Sequence, residues 1–284
     1  MSDFQTVGFV GLGLMGKPMV GHLANKLPAS TRIYVYDVLQ GAIDELESHH
    51  QGKIIRAMNA KDVADKSVRQ STLYSRQAKL IFMLQDVIIT MVPEGSHVKS
   101  VYLDDKTGIW CSNLESKLLI DCSTIDTATS LLVKDHIAQK FPNASFYDAP
   151  VSGGVVGAVK GTIAFFLGCS ESDPNLQRIS SLLSLMGGQI IPCGSPSLGL
   201  AAKLSNNYLS GIIAIACSEA LDMGMRSGLD PRVLSKVYAA GTAQNAICDK
   251  FCPCPGVAPE APSSKGYQGG FKVNQSMSSP SLIC

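Results

Sequence analysis

The chain of 284 residues is long enough for one large domain or two ordinary ones, with a full hydrophobic core in either case. Its 24 basic and 23 acidic side chains leave a net charge of +1, which excludes the imbalance of a protein built for nucleic acid or an acidic membrane surface. Nine cysteines without framework spacing and no charged-then-apolar leader predict free thiols in a reducing compartment, and no apolar run both reaches about 20 residues and lacks polar groups, so no membrane span is expected.

The first element is a short apolar strand, Val7 to Val10, followed at once by Gly11, Gly13 and Gly16 and then a helical pattern from Lys17 to Lys26. Glycines at this spacing between a strand and a helix have separate mechanical uses. Gly11 permits the tight turn, Gly13 lets the backbone approach a pyrophosphate, and Gly16 lets the helix pack on the strand. The helix then offers free N–H groups and its positive dipole end to the phosphates. A second strand, Arg32 to Tyr36, ends in Asp37, about 20 residues beyond the last glycine, where a carboxylate accepts hydrogen bonds from a ribose diol and repels a 2′-phosphate. The pattern predicts a dinucleotide site that takes NAD rather than NADP.

Helix and strand continue to alternate. Ala42 to His50 reads as a helix, Ile54 to Ala57 as a strand, and Asn59 as the cap of a short helix through Ala64. Asp86 to Val92 reads as a buried strand stopped by Pro93, with the turn Glu94 to His97 on the cofactor side. Leu118 to Asp121, leading into Cys122 to Thr124, and Phe146 to Asp148 are the next strands. Repeated β-α units predict an α/β fold, a Rossmann-type doubly wound sheet with ligands at the carboxyl ends of its strands. Residues 68–85 fit this alternation badly and read as an insert, where such a fold needs only a few residues.

Small residues dominate Asp148 to Gly161, whose backbone N–H groups and Ser152 hydroxyl can form a nest for a carboxylate, the plain alternative being a flexible surface loop. Thr162 to Gly168 and Gln189 to Cys193 read as two more strands completing the sheet, with a helix from Leu176 to Met186 between them. From Ser197 to Arg226 a proline-free, mostly apolar stretch reads as one helix about 45 Å long, enough to cross from one domain into another. It carries Lys203, Asn206 and Asn207, and residues three or four apart share a helical face. A lysine desolvated in an apolar pocket loses pKa and can serve as a base, whereas a lone lysine can also snorkel to solvent. His22, His49, His50, His97 and His136 offer no histidine-acid pairing that the sequence identifies. Cys248, Cys252 and Cys254 cluster without a nearby histidine, and no metal is predicted.

Three of these motifs together resemble the β-hydroxyacid dehydrogenase family: GFVGLGLMG at Gly8 to Gly16, DAPVSGGVVGAVKGT at Asp148 to Thr162, and GLAAKLSNN at Gly199 to Asn207. A fourth, CPCPGVAPEAPSSKGYQGGF at Cys252 to Phe271, resembles the branch that oxidises 3-hydroxyisobutyrate, and the similarity covers most of residues 5–67 and 86–273. The resemblance implies that Gly11, Gly13 and Gly16 cradle the pyrophosphate, that Asp37 holds the adenosine ribose, and that Met15, Pro93 and Thr124 lie beside the dinucleotide. It implies that Ser152, Gly153 and Gly154 bind the substrate carboxylate, that Lys203 is the catalytic acid/base, and that Asn207 orients the substrate with Asn206 beside it.

The activity this implies is NAD-dependent oxidation of a short β-hydroxy acid, 3-hydroxyisobutyrate to methylmalonate semialdehyde in valine breakdown. The alternatives are reduction of tartronate or succinic semialdehyde, and a non-catalytic dinucleotide-binding homologue. The expected organisation is a nucleotide-binding domain at 1–193, a partial all-α substrate and oligomerisation domain at 194–273, and a divergent, disordered tail at 274–284 that departs from the family's further helices. Homo-oligomers built through the C-terminal helices are implied by the same resemblance. A first strand close to Met1 predicts a cytoplasmic protein, and the resemblance to eukaryotic members a mitochondrial one.

Overall fold

A computed structural model describes residues 4–67 and 87–266; the insert expected at 68–85, Asp86 and the tail expected at 274–284 lie outside the described residues. In chain order β1 (Thr6–Val10), α1 (Gly16–Lys26), β2 (Arg32–Tyr36), α2 (Gln40–His49), β3 (Ile54–Arg56) and α3 (Ala60–Lys66) come first. β4 (Val87–Thr90), α4 (Gly95–Leu103), β5 (Leu118–Asp121), α5 (Thr127–Lys140) and β6 (Ser145–Asp148) follow. The strands form one sheet in the order β3-β2-β1-β4-β5-β6, with every neighbouring pair parallel.

The sequence dictates this burial. β4 and β5 read VIIT and LLID, and all of their side chains are buried, as strands covered on both faces require. Val7, Phe9, Ile33, Val35, Ile89 and Ile120 pack with Met19 and Leu23 of α1 and Ile43 of α2. Their strand neighbours Val10, Ile88 and Leu119 face the other way, against Val63 of α3, Val98 and Tyr102 of α4 and Val133 and Ile137 of α5. Each such side chain contributes about 1.5–3 kcal/mol by leaving water. Asn59 caps α3 as expected, accepting the Asp62 N–H at 2.8 Å, and Asp126 caps α5 through Thr129 N at 2.7 Å.

Two expectations are corrected beyond β6. Thr162 to Gly168 and Gln189 to Cys193 do not extend the main sheet. β7 (Val151–Ser152), β8 (Ile163–Leu167) and β9 (Gly187–Pro192) make a separate three-stranded sheet, with β7 antiparallel and β9 parallel to β8. Pro150 has no N–H with which to continue the ladder of β6, and its carbonyl accepts the Phe166 N–H at 3.0 Å instead, so the chain turns onto β8. Nor is Asp148 to Gly161 a loop throughout, because Gly154–Lys160 is a helix, α6. Its Val155 packs against the core, while Val156 and Val159 are exposed. A further helix, α7 (Leu176–Leu183), lies between β8 and β9 in sequence, as expected.

The backbone contacts divide the chain into two units, 1–203 and 204–284, and α8 (Leu198–Arg226) runs through the division. The second unit also contains α9 (Pro231–Ala240) and α10 (Ala246–Lys250). α9 begins with Asp230 accepting the Arg232 N–H and with proline at its first position. Cys217, Leu221, Leu234, Cys248 and Cys252 form this unit's core, with Cys254 partly buried against it. The Cys248 thiol lies 3.1 Å from the Cys217 sulfur, and burial pushes the Cys217 thiol up to about 12, so Cys217 packs as apolar core rather than as a thiolate. By length and composition α8, with a mean hydropathy of 1.2 over its most apolar window, is sufficient to cross a membrane, contrary to an expectation that rested on its polar residues.

Candidate active site

Tyr36, Val10, Thr90, Asp121 and Asp148 are register partners across five adjacent strands and mark the carboxyl edge of the main sheet. At roughly 4.8 Å per strand this row spans about 19 Å. Immediately beyond it emerge Asp37 after β2, the glycine turn after β1, Pro93 after β4, Thr124 after β5 and Ser152 after β6. The strand order reverses between β1 and β4, the place where an open α/β sheet leaves a crevice for a ligand.

The glycine turn has the mechanics that its spacing predicts. Gly11 has φ +96°, and a Cβ there would lie 2.1 Å from the Met91 carbonyl oxygen. A Cβ on Gly16 would lie 1.9 Å from the Gly11 carbonyl oxygen, so only glycine lets α1 close on the turn. A Cβ on Gly13 meets nothing within 4 Å, which leaves open the space a pyrophosphate would take. Asp37 is folded back onto this turn, its Oδ2 accepting the Leu12 N–H at 2.5 Å and its Oδ1 the Leu39 N–H at 2.7 Å. Two N–H bonds leave carboxylate lone pairs free for ribose hydroxyls. Met15 is buried at 6% exposure in the core beneath the turn. Val38 and Leu39, after β2, and Met58, after β3, are exposed apolar side chains that follow the carboxyl ends of those strands.

Next to Pro93 and Thr124 in sequence lies a hydrogen-bonded hub. Asp121 Oδ1 accepts from Thr90 Oγ1 at 2.7 Å, from Ser123 Oγ at 2.7 Å and from Ser123 N at 3.2 Å, and Ser123 Oγ accepts the Val92 N–H at 3.0 Å. The loops after β4 and β5 are thus tied to each other. Burial raises the Asp121 carboxyl to about 6, and its Oδ2 is buried without a hydrogen-bond partner. Burial also raises Asp148 on the neighbouring strand.

Ser152, at the end of β7, is half-buried, and Gly153 and Gly154 follow with φ +131° and +61°. Lys203 is half-buried on α8, and burial alone lowers its ammonium to about 8; no carboxylate among the described residues pairs with it. A neutral amine is therefore accessible near physiological pH. Asn206 and Asn207 are exposed, and Asn207, four residues beyond Lys203 on α8, belongs to the second unit. Among the histidines, His97 Nδ1 lies 3.7 Å from Glu94 Oε1 in the first turn of α4, a pairing of two partly exposed groups. His22 Nε2 is 3.0 Å from the carbonyls of Ala158 and Val159.

Residues 6–194 match the NAD-binding domain of 6-phosphogluconate dehydrogenase, and residues 198–277 match the "NAD-binding of NADP-dependent 3-hydroxyisobutyrate dehydrogenase" family. The 3-hydroxyisobutyrate dehydrogenase of Pseudomonas aeruginosa is 37% identical over 267 residues, covering 94% of this chain and 80% of that protein. The chain belongs to the NAD-dependent β-hydroxyacid dehydrogenase family. The NAD-dependent L-serine dehydrogenase of the same bacterium is 32% identical over 267 residues, with the same coverage of 94% and 80%. Among solved structures, Mycobacterium tuberculosis 3-hydroxyisobutyrate dehydrogenase with L-serine superposes with a TM-score of 0.76 at 30% identity, covering 94% of this chain and 81% of that one. Relatives include proteins named as mitochondrial and bacterial ones. The second match spans α8, so the apolar composition of that helix is part of the dehydrogenase's helical region.

Within this β-hydroxyacid dehydrogenase the sequence reading passed over Thr90, Asp121 and Ser123, and gave Asp148 no role. Their signal was present: LLID and SFYD each end a buried strand in an acid, and an acid at that depth needs partners.

Proposed function

We propose that the protein oxidises 3-hydroxyisobutyrate to methylmalonate semialdehyde with NAD, and that Lys203 is the base. The observation that carries this reading is the half-buried lysine lowered to about 8 by burial alone, on the helix that follows a six-stranded dinucleotide-type sheet. Gly11, Gly13 and Gly16 hold the pyrophosphate, with Met15 supporting the turn from below. Asp37 accepts the adenosine ribose hydroxyls, and its charge is the reason for NAD rather than NADP. Pro93 and Thr124, on their tied loops, flank the dinucleotide, and Val38, Leu39 and Met58 give its adenine an apolar surface.

The substrate is an acid with a primary hydroxyl on its β-carbon. Ser152 and the backbone of Gly153 and Gly154 hold its carboxylate. Neutral Lys203 takes the hydroxyl proton, and Asn207 orients the same hydroxyl. Bound NAD supplies the hydride acceptor. In reverse the Lys203 ammonium returns the proton to the forming alkoxide.

L-Serine is the second reading, favoured by the relative that is named for it and by the solved relative that contains it. Both substrates share the carboxylate and the primary alcohol and differ at the α-carbon, a methyl in one and an ammonium in the other. Initial rates of NADH formation on 3-hydroxyisobutyrate, L-serine and glycerate, the alcohol that tartronate semialdehyde becomes on reduction, separate these readings. The expected order has 3-hydroxyisobutyrate first, with NADP at least about 10-fold poorer than NAD in kcat/KM. L-Serine in first place replaces the substrate assignment and keeps the mechanism. NAD binding without turnover of any of them contradicts both.

A further inference from the structure

Asp148 ends β6 with a carboxylate that is 1% exposed. Its Oδ1 accepts the Ser197 N–H at 2.7 Å and its Oδ2 accepts the Leu200 N–H at 2.9 Å. Those donors are the residue before α8 and the third residue within it, so α8 is capped by a side chain 49 residues upstream of Ser197. A helix cap normally comes from the residue beside the helix. Ser197 cannot fill that role in the usual way, because its backbone is left-handed at φ +67°, a region unfavourable for any residue with a Cβ, and its N–H is held by Asp148. Two glycines admit the carboxylate. A Cβ on Gly168, just beyond β8, would lie 1.9 Å from Asp148 Oδ1, and one on Gly199 would lie 2.8 Å from Oδ2 and 2.2 Å from the Phe166 carbonyl oxygen. The ends of β6 and β8 and the first turn of α8 therefore close on a single carboxylate.

Lys203 stands three residues beyond Leu200, and Ser152 four residues beyond Asp148. We propose that Asp148 is a positioning residue, which fixes the first turn of α8 and with it the depth at which Lys203 is buried. The inference rests on Lys203 being the base. No titratable group among the described residues adds to the burial that lowers Lys203, so its pKa reports that depth. Loss of the anchor lets the ammonium regain water, and its pKa climbs back toward the ordinary lysine range. Cys169, Cys193 and Asp121 face Asp148 electrostatically and are left unchanged by the test.

The test is Asp148→Asn in the full chain, whose side chain keeps its size but sets one acceptor oxygen and one NH2 donor against two N–H donors. The expected result is an NAD Kd within about 2-fold of wild type, a kcat on 3-hydroxyisobutyrate lower by at least about 10-fold, and a smaller change in KM. The inflection of kcat/KM with pH, near 8 in the wild type, moves upward. If Asp148→Asn is insoluble, Asp148→Ser removes the charge without presenting an amide donor, and the same shifts are expected. Wild-type kcat and an unmoved inflection in a folded variant overturn the proposal. So does fast hydrogen exchange of the Ser197 and Leu200 amides in the wild type, which needs no variant. A wild type with no inflection near 8, or an active Lys203→Met, overturns the Lys203 reading instead.

Discussion

Lys203 works against the fold that holds it. Its folded pKa, about 8, lies below the ordinary lysine value of 10.5. Between these values the unfolded chain binds the proton and the native chain does not, so stability rises with pH across that window. Below it the buried ammonium costs stability in full. Lys203→Met is therefore expected to stabilise the protein at pH 7 by about 1–2 kcal/mol, discounted for the half-exposed site, and to lose that advantage as pH approaches 10.5. Urea unfolding at the two pH values checks this, and a variant less stable than wild type at pH 7 would count against a desolvated lysine. The sequence made Lys203 visible because a charge in an apolar helical run is conspicuous. Asp148 stayed hidden because its partner Ser197 lies 49 residues away, and Asp121 because its bond to Thr90, 31 residues away, is what ties two strands together, whereas its bonds to nearby Ser123 are local.

At the scale of elements, the β1–α1 turn separates two uses of glycine that look alike in sequence. Gly16 is needed for packing, since its Cβ would strike the Gly11 carbonyl oxygen, whereas Gly13 faces open space. Gly16→Ala is expected to cost about 1–3 kcal/mol by pushing α1 off the turn. Gly13→Ala should leave unfolding within about 0.5 kcal/mol of wild type and weaken NAD at least about 10-fold. Calorimetric NAD titration beside thermal unfolding distinguishes the two, and equal losses of stability would remove the division of roles. The strands of the main sheet were legible because each is a short, mostly apolar run rich in β-branched and aromatic residues. α6 was not, because glycines and valines are weak helix formers and the loop reading had the better local propensity.

Across the whole molecule, the α/β class and the strand reversal that makes the crevice follow from alternating β and α patterns, and the solved relative has the same fold. The second sheet escaped sequence reading because β7, β8 and β9 carry the same apolar character as the main strands; only Pro150 and non-local pairing send them elsewhere. Carboxyl ends of five neighbouring strands then supply nearly every residue proposed for the site, and α8 supplies the base. The claim that this arrangement turns over a β-hydroxy acid with NAD is tested most directly by the rate of NADH formation on 3-hydroxyisobutyrate across pH 6 to 10, in the wild type and in Lys203→Met. The account predicts a wild-type kcat/KM that rises through an inflection near 8, and a variant slower by about 10²–10⁴ with NAD affinity unchanged. A wild-type rate without that inflection, or a variant within 10-fold of it, would contradict the account.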